Sequence, residues 1–563
     1  MMEYKLNKKI IYNKIEPTFK YENLSKYLIE ILIKRGYDTK DKISKFLNLS
    51  LLDLYDTRLM KDAEKGVDLI LEHILKGNKI VIYGDYDCDG IGATATMLLA
   101  LKNVGANVDY FINNRFEHGY GICIEGINQI ISKNPDVKLI ITVDNGIVGF
   151  DAVDYCNSKN IDIIITDHHE PGEKLPNAKA VINPKRNDDL YPFKELCGAG
   201  IAFKLMLLLY YKMNLPLNYI YNLVDIVALS TVGDIVPLID ENRIIVKEGL
   251  SLMKKETRKV FKYLKEITGT NDVNAHFTLA FLYVPMINAI GRVAGEVNLA
   301  VELFLTDDDE KIKEIICKLK ELNEQRKKLT EKQYKLAEEI LEKKGLKEVI
   351  VVYHPEFHEG IIGLIAGKLK EKYNRPTFVF SKHNDVLKGS ARSIDNYHLK
   401  QIMDKGKEYL VGYGGHAKAG GLSLKEENLD SFEEFLIQKA KELLNEDDYK
   451  QKIYIDTVID AKDLDINIID ELKILEPFGE GFEKPIIGLK NFEGDGFKYL
   501  GEEAKHVKIY NKNLSVIIWQ EAEKYRIKNE PLKLKAIGYP ELNVYNNNVN
   551  IQFIVQNDLF YSA

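Results

Sequence analysis

The sequence has no run of about 18 apolar residues, which excludes a membrane-spanning helix. Its first residues, MMEYKLNKKIIYNKIEP, lack the continuous apolar core of a secretion signal, so a cytoplasmic location is expected. Cysteine is scarce: the five, at 88, 123, 156, 197 and 317, include no C-x-x-C pair. That argues for a reducing compartment and against a zinc ribbon. Excess positive charge is also lacking, with 78 Lys+Arg against 85 Asp+Glu and a net charge of −7. This counts against a protein whose whole surface binds nucleic acid, but leaves room for a local basic groove or for metal ions. The scarcity of tryptophan carries no functional reading, and there is no internal repeat. At 563 residues the chain is too long for one core, and two to four domains are expected.

Apolar residues at three-to-four spacing make residues 1–75 mostly helical in pattern. From residue 79, short apolar strands alternate with helical stretches: KIVIY (79–83), NVDYFIN (107–113), KLIITV (138–143), DIIIT (162–166) and AVIN (180–183). That alternation predicts a doubly wound parallel sheet with strands buried on both faces. A helical block follows over about 199–265. Residues 307–345 are highly charged with apolar residues at helical spacing, and read as a long exposed connecting helix or a coiled-coil arm. A second α/β segment starts at EVIVVYH (348–354), and after a charged helix (426–449) several short strands suggest a small barrel or sandwich. The expected boundaries are 1–75, 76–305, 306–345, 346–447 and 448–563.

YGDYDCDGIG (83–92) opens like a calcium loop, with three aspartates at alternate positions closed by a glycine. An EF-hand starting at Asp85 requires a bidentate Glu at its twelfth position, and that position is Thr96. The stretch instead follows a strand and precedes ATATMLLALKNVG (93–105), a helix closed by Gly105, with Gly84 and Gly90 permitting the tight turn. Three carboxylates so close repel one another, and a cation relieves that cost; a solvated acidic turn is the plain alternative.

In an open parallel sheet, ligands bind beyond the carboxyl ends of the strands. There the sequence places Asp85, Asp87 and Asp89, then Asp144-Asn145-Gly146, then Asp167-His168-His169, and later Asp234 after an apolar run. Singly these are a turn, a surface histidine pair and a helix cap; jointly they point to one site. Carboxylates and imidazoles without thiolates suit manganese or magnesium, and five or more candidates suggest two ions. Such a pair activates water near neutral pH and stabilises charge on the attacking and leaving oxygens of a phosphoryl group.

In order, G-D-Y-D-x-D-G, V-D-N-G, D-H-H and G-D-I-V-P-L resemble the motifs of the DHH phosphoesterase family, named for its Asp-His-His triplet. Gly389-Ser390-Ala391-Arg392-Ser393 and the glycine-rich GGHAKAGG (414–421) are similar to that family's companion domain. Length, the connecting helix and the β-rich C-terminus resemble its single-stranded-DNA-specific exonuclease branch. So do RFEHGYG (115–121), NPK (183–185), CGAGIAFK (197–204), INAIGR (287–292) and LEPFGEGFEKP (475–485). The likeness runs from about residue 30 to the C-terminus.

The resemblance implies an α/β fold: a doubly wound parallel sheet (the DHH domain) joined by a long helix to a smaller α/β domain, then a C-terminal β-barrel of the OB fold. It implies a two-metal 5′→3′ exonuclease that hydrolyses single-stranded DNA to mononucleotides in repair and recombination. Asp85, Asp87, Asp89, Asp144, His168 and Asp234 would hold two Mn2+ or Mg2+ ions. Asp144, Asp167, His168 and His169 would form the catalytic group, with Asp85 and Asp167 binding or orienting from beside the metal pair and His169 facing the phosphate or completing the shell. His169, Arg115, Arg292, Ser390, Arg392, Gly415, His416 and Trp519 would contact substrate, with Tyr510, Tyr545, Lys505 and Lys508 as further strand-binding candidates. Single-stranded DNA is the expected partner, with a helicase and a single-strand-binding protein beside it, and the chain is expected to be a monomer. Tyr83 stands where the family's pyrophosphatases place a histidine, which disfavours that activity, and Phe482 stands where an asparagine is expected. A relative that cuts short RNA or cyclic dinucleotides is the enzymatic alternative, but those are typically the two catalytic lobes alone. A DNA-binding scaffold is the non-enzymatic one, and it would have lost metal ligands.

Overall fold

The computed structural model describes residues 8–21, 24–114, 119, 121–270, 275–501, 503–519, 532–545 and 548–562. They form two units, one of Met1–Leu49, Lys450–Phe478 and Glu483–Ala563, the other of Ser50–Tyr449 and Gly479–Phe482.

The second unit carries the acidic motifs. Its first sheet has five strands in the spatial order Val108–Ile112, Lys79–Gly84, Val137–Val143, Asp162–Thr166, Ala180–Ile182, all parallel. Alternate residues of a strand face opposite sides. Ile80, Ile82, Leu139, Ile141 and Ile164 enter one core, with the helices Cys88–Asn103, Gly198–Lys212 and Val224–Gly233. Val81, Tyr83, Ile140, Ile163 and Ile165 enter the other, with Ile124–Lys133 and Phe150–Ser158. Both faces are covered, so the strands read as unbroken apolar runs. From Lys79–Gly84 the chain winds to one neighbour over one face, and then to Val137–Val143 over the other. That reversal is the topological switch point, where a parallel sheet opens a crevice.

The helix that follows the aspartate motif begins at Cys88, earlier than the apolar pattern suggests, because the Asp87 side chain caps it by accepting from the backbone of Asp89 (2.9 Å) and Gly90 (3.1 Å). Gly84 and Gly90 do not serve the turn through a special backbone angle, as neither has a positive φ. They are needed for close approach: a Cβ on Gly84 would lie 2.1 Å from Thr94 Oγ1, and one on Gly90 would lie 2.5 Å from the Asp85 carbonyl.

Asp309–Lys344 is one 36-residue helix that connects the two lobes as expected, but one stripe of it is buried rather than exposed. Ile312, Ile315, Ile316, Leu319 and Leu322 pack into the first core. Ala337 and Leu341 pack with Ile350, Val352 and Ile365 of the second lobe. An apolar stripe at helical spacing needs a partner along its whole length, and each lobe covers half. The second lobe's sheet runs Leu410–Gly415, Ala419–Leu424, Val386–Arg392, Thr377–His383, Ile350–Tyr353, parallel only between the last two.

The first unit joins the two ends of the chain. Lys8–Ile11 pairs in parallel with Gln451–Tyr454, and the buried Glu30 accepts from Thr457 Oγ1 (2.6 Å). Local helical periodicity does not reveal these partners, which lie more than 400 positions away. Seven strands between Thr457 and Ser562 form one further sheet. Among the described residues no helix is long and apolar enough to cross a membrane.

Candidate active site

Each acidic motif leaves the carboxyl end of a central strand or its covering helix, and the topology brings them together. Three overlapping groups have ligand atoms mutually within 4.8 Å: Asp85–Asp87–Asp144, Asp89–His168–Asp234 and Asp144–His168–His169. His168 is the hub. Its Nε2 lies 3.0 Å from Asp144 Oδ1, 3.5 Å from Asp234 Oδ2 and 3.8 Å from Asp89 Oδ2. Although these atoms are close, His168 Nε2, Asp144 Oδ1 and Asp234 Oδ2 are buried without a geometrically sound hydrogen bond. Such atoms are costly unless a ligand satisfies them, so this donor set fits divalent cations.

The electrostatics agree. Burial, then the Asp87 charge, pushes Asp89 up to about 7. Burial and the neighbouring carboxylates, Asp89 first, raise Asp144 and Asp234 well above the ordinary range. Burial lowers His168, leaving a neutral imidazole with a lone pair to donate. Asp234 caps the C-terminus of Val224–Gly233, where the helix dipole disfavours a negative charge. Asp144 has φ 61°, and a Cβ on Gly198 would come within 2.5 Å of the Asp144 Cβ, so the strand end and the next helix meet without a side chain between them.

Asp167 occupies an orienting position. Its Oδ1 accepts from the backbone of His168 (2.8 Å) and His169 (3.1 Å) and from His169 Nδ1 (2.7 Å), and its Oδ2 accepts from Ile147 N (2.9 Å). Burial would raise this carboxyl, but His169 outweighs it and holds it at about 2. Burial would lower His169, but the same hydrogen bond raises it to about 9. Asp167→Asn is expected to lower kcat by about 10- to 100-fold by releasing the His169 ring. Steady-state kinetics beside a thermal melt will separate that loss from unfolding.

Sequence reasoning missed two contributors. The backbone N–H groups of Gly198 and Ala199, at the start of the CGAG helix, donate to Asp89 at 2.6 and 2.9 Å. A glycine-rich helix start is a recognisable anion holder, but its target was unreadable. Lys185 of the NPK segment lies 3.6 Å from Glu170 and 3.7 Å from Glu195, and its charge acts on His168, Asp234 and His416.

The second lobe contributes the other candidates. GGHAKAGG is a hairpin tip in which His416 N donates to Ala419 O (2.8 Å) and Gly415 has φ 136°. The His416 ring stacks on His169, with centroids 6.2 Å apart. Arg392 donates to Ser390 Oγ (3.2 Å), and both lie against Gly363 in the first turn of Ile362–Tyr373. Arg292 donates to Gly360 O (3.3 Å), across the two lobes. Phe482 fills the place of the expected asparagine with its ring under the Arg243 guanidinium, 4.5 Å away. Arg115 lies outside the described residues, as does the side chain of Tyr545. In the other unit Trp519 and Tyr510 are exposed, Trp519 edge-on to His506. Lys508 stands opposite Lys498 across two strands, and Lys505 pairs with Glu503.

Comparison with known proteins assigns this arrangement. The chain matches the DHH family, N-terminal domain, over residues 79–231, the DHHA1 domain over 346–442 and the RecJ OB domain over 455–557. It is 32% identical to the single-stranded-DNA-specific exonuclease RecJ of Bacillus subtilis, over 97% of this chain and 69% of that protein. It is 31% identical to the RecJ of Haemophilus influenzae, over 91% of this chain and 93% of that protein. The crystal structure of RecJ in complex with Mn2+ from Thermus thermophilus superposes with a TM-score of 0.84 at 25% identity, covering 99% of this chain and 80% of that one. With both lobes and the C-terminal segment matched by family, the chain belongs to the RecJ family of DHH phosphoesterases.

Proposed function

We propose that this chain hydrolyses single-stranded DNA from its 5′ end to mononucleotides, at two divalent ions held by Asp85, Asp87, Asp89, Asp144, His168 and Asp234. The carrying observation is the hub of His168 with Asp144, Asp234 and Asp89, in which His168 Nε2, Asp144 Oδ1 and Asp234 Oδ2 are buried atoms without a hydrogen bond. Manganese or magnesium, when bound, would supply Lewis acidity that activates water and neutralises charge on the phosphoryl oxygens. The chain's own residues do the rest. Asp167 fixes the His169 ring toward the phosphate, and His416 faces it from the second lobe. Arg392 and Ser390, which meet at Gly363 near a helix start, would hold a phosphate, and the Gly415 backbone and Arg292 would be further contacts. Trp519, Tyr510 and Lys508 suit stacking and phosphate contacts along the strand. The five cysteines are free, consistent with a reducing cytoplasm. A helicase would supply its single strands and a single-strand-binding protein would coat them. We assign it no partner subunit.

The test is digestion, with Mn2+, of an oligonucleotide labelled at one end or the other. Mononucleotides released from the 5′ end, with duplex spared, are expected. Binding without cleavage would instead mark a scaffold, and cleavage confined to short RNA or cyclic dinucleotides would mark the other branch of the family.

A further inference from the structure

Ile235 combines two features that a fold normally avoids. It directly follows Asp234, with φ 62°, a left-handed backbone that β-branched side chains rarely adopt. The residue is also 69% exposed, so little burial offsets the strain. Elsewhere the chain meets this geometry differently. Among the described residues twelve non-glycine positions have positive φ; nine are Asn or Asp, and Ile235 is the one β-branched residue. At most of these turns a residue that tolerates the geometry has been used, Glu256 and Ala504 being the other exceptions.

The surrounding structure over-determines the turn. Asp234 N donates to Ser230 O (2.9 Å) on one side. On the other, Leu238 N donates to Glu480 O (2.7 Å), Asn242 Nδ2 donates to Pro237 O (3.0 Å), and Val236 and Leu238 are buried. Strain held in this way concentrates at sites of ligand contact. The position fits that role. The side chains of Asp89 and Asp144 are at most 3% exposed, whereas that of Asp234 is 20% exposed, so Asp234, with the half-buried Asp87 and His169, is where the cluster reaches solvent, and Ile235 adjoins it.

We propose that Ile235 is a substrate-contact residue, packing on the apolar sugar and base face of the nucleotide next to the scissile phosphate. The proposal rests on the exonuclease reading above. An aliphatic side chain grips any base without hydrogen-bond readout, as a sequence-tolerant nuclease requires.

The test compares wild type with Ile235→Gly and Ile235→Val on one single-stranded oligonucleotide with Mn2+. Glycine relieves the strain, so misfolding does not confound the result. Expected for Ile235→Gly are a melting temperature at or above wild type, KM raised about tenfold and kcat within about twofold. Ile235→Val, which keeps most of the apolar contact, should stay near the wild-type KM. An unchanged KM in the glycine variant overturns the proposal, and so does a fall in kcat at constant KM, which would make the turn a device for placing Asp234. If the wild type digests nothing, the exonuclease reading fails first and takes this one with it.

Discussion

Asp144→Asn is expected to reduce DNA hydrolysis by at least about 10³-fold while making the metal-free protein more stable. Asp144 shares two of the candidate metal groups with Asp85, Asp87, His168 and His169. Losing its charge removes several kcal/mol of ion-mediated transition-state stabilisation, and each 1.36 kcal/mol is about tenfold in rate. The fold should survive, because Asn tolerates φ 61° as well as Asp does and is the same size beside Gly198. The stability gain follows from the carboxyl's own position, where burial and then the charges of Asp89, Asp87, Asp234 and Asp85 raise it. A carboxyl raised in the fold contributes its stability below its unfolded value, near pH 4, and loses it as pH rises through the folded value. The advantage of Asp144→Asn over wild type should therefore be small near pH 4 and grow toward neutrality. Melting curves in EDTA across that range, beside a nuclease assay, check both halves. A variant that is less stable than wild type at pH 7.5 without metal would show that the cluster is not under like-charge strain.

The second large effect is that of the metal itself. Chelation should abolish digestion, and returning Mn2+ or Mg2+ should restore it. Binding at a hundredfold excess over Kd should stabilise the folded chain by about 2.7 kcal/mol. The ligands must be deprotonated, and Asp89, Asp144 and Asp234 all have raised values, so the stabilisation by Mn2+ should grow with pH. Sodium at matched ionic strength should give no such shift, because screening acts on exposed charges rather than on a buried cluster. Isothermal titration of wild type and Asp144→Asn with Mn2+ provides the direct reading: two sites in the first, weakened or lost binding in the second. Full activity in excess EDTA would remove the metal from the proposed function.

The sheet is legible in the sequence because its evidence is local. Both faces of the strands Lys79–Gly84 and Val137–Val143 are buried over most of their length, so apolar residues dominate from 80 to 83 and from 137 to 143, and the glycines and aspartates that follow mark the strand ends. The candidate site was legible for the same reason: Asp85, Asp87, Asp89, Asp144 and His168 sit at those ends, and a parallel sheet places them at one pole. Other features depended on distant parts of the chain. Asp89 is held by the backbone of Gly198 and Ala199, 109 and 110 positions on, and a backbone N–H leaves no trace in residue identity. Gly84 and Gly90 looked like turn residues, yet their need is for space beside Thr94 and Asp85. The long helix looked exposed because its surface half is rich in Lys and Glu, while the lobes covering its apolar stripe arrive from separate stretches of chain. By itself, the sequence determined the strands, the ligand types and the pole where they meet, since these follow from periodicity and residue chemistry. Only the tertiary structure decided which carboxylate is capped, which is left without a partner and which residue is strained, because those depend on long-range packing that no local pattern records.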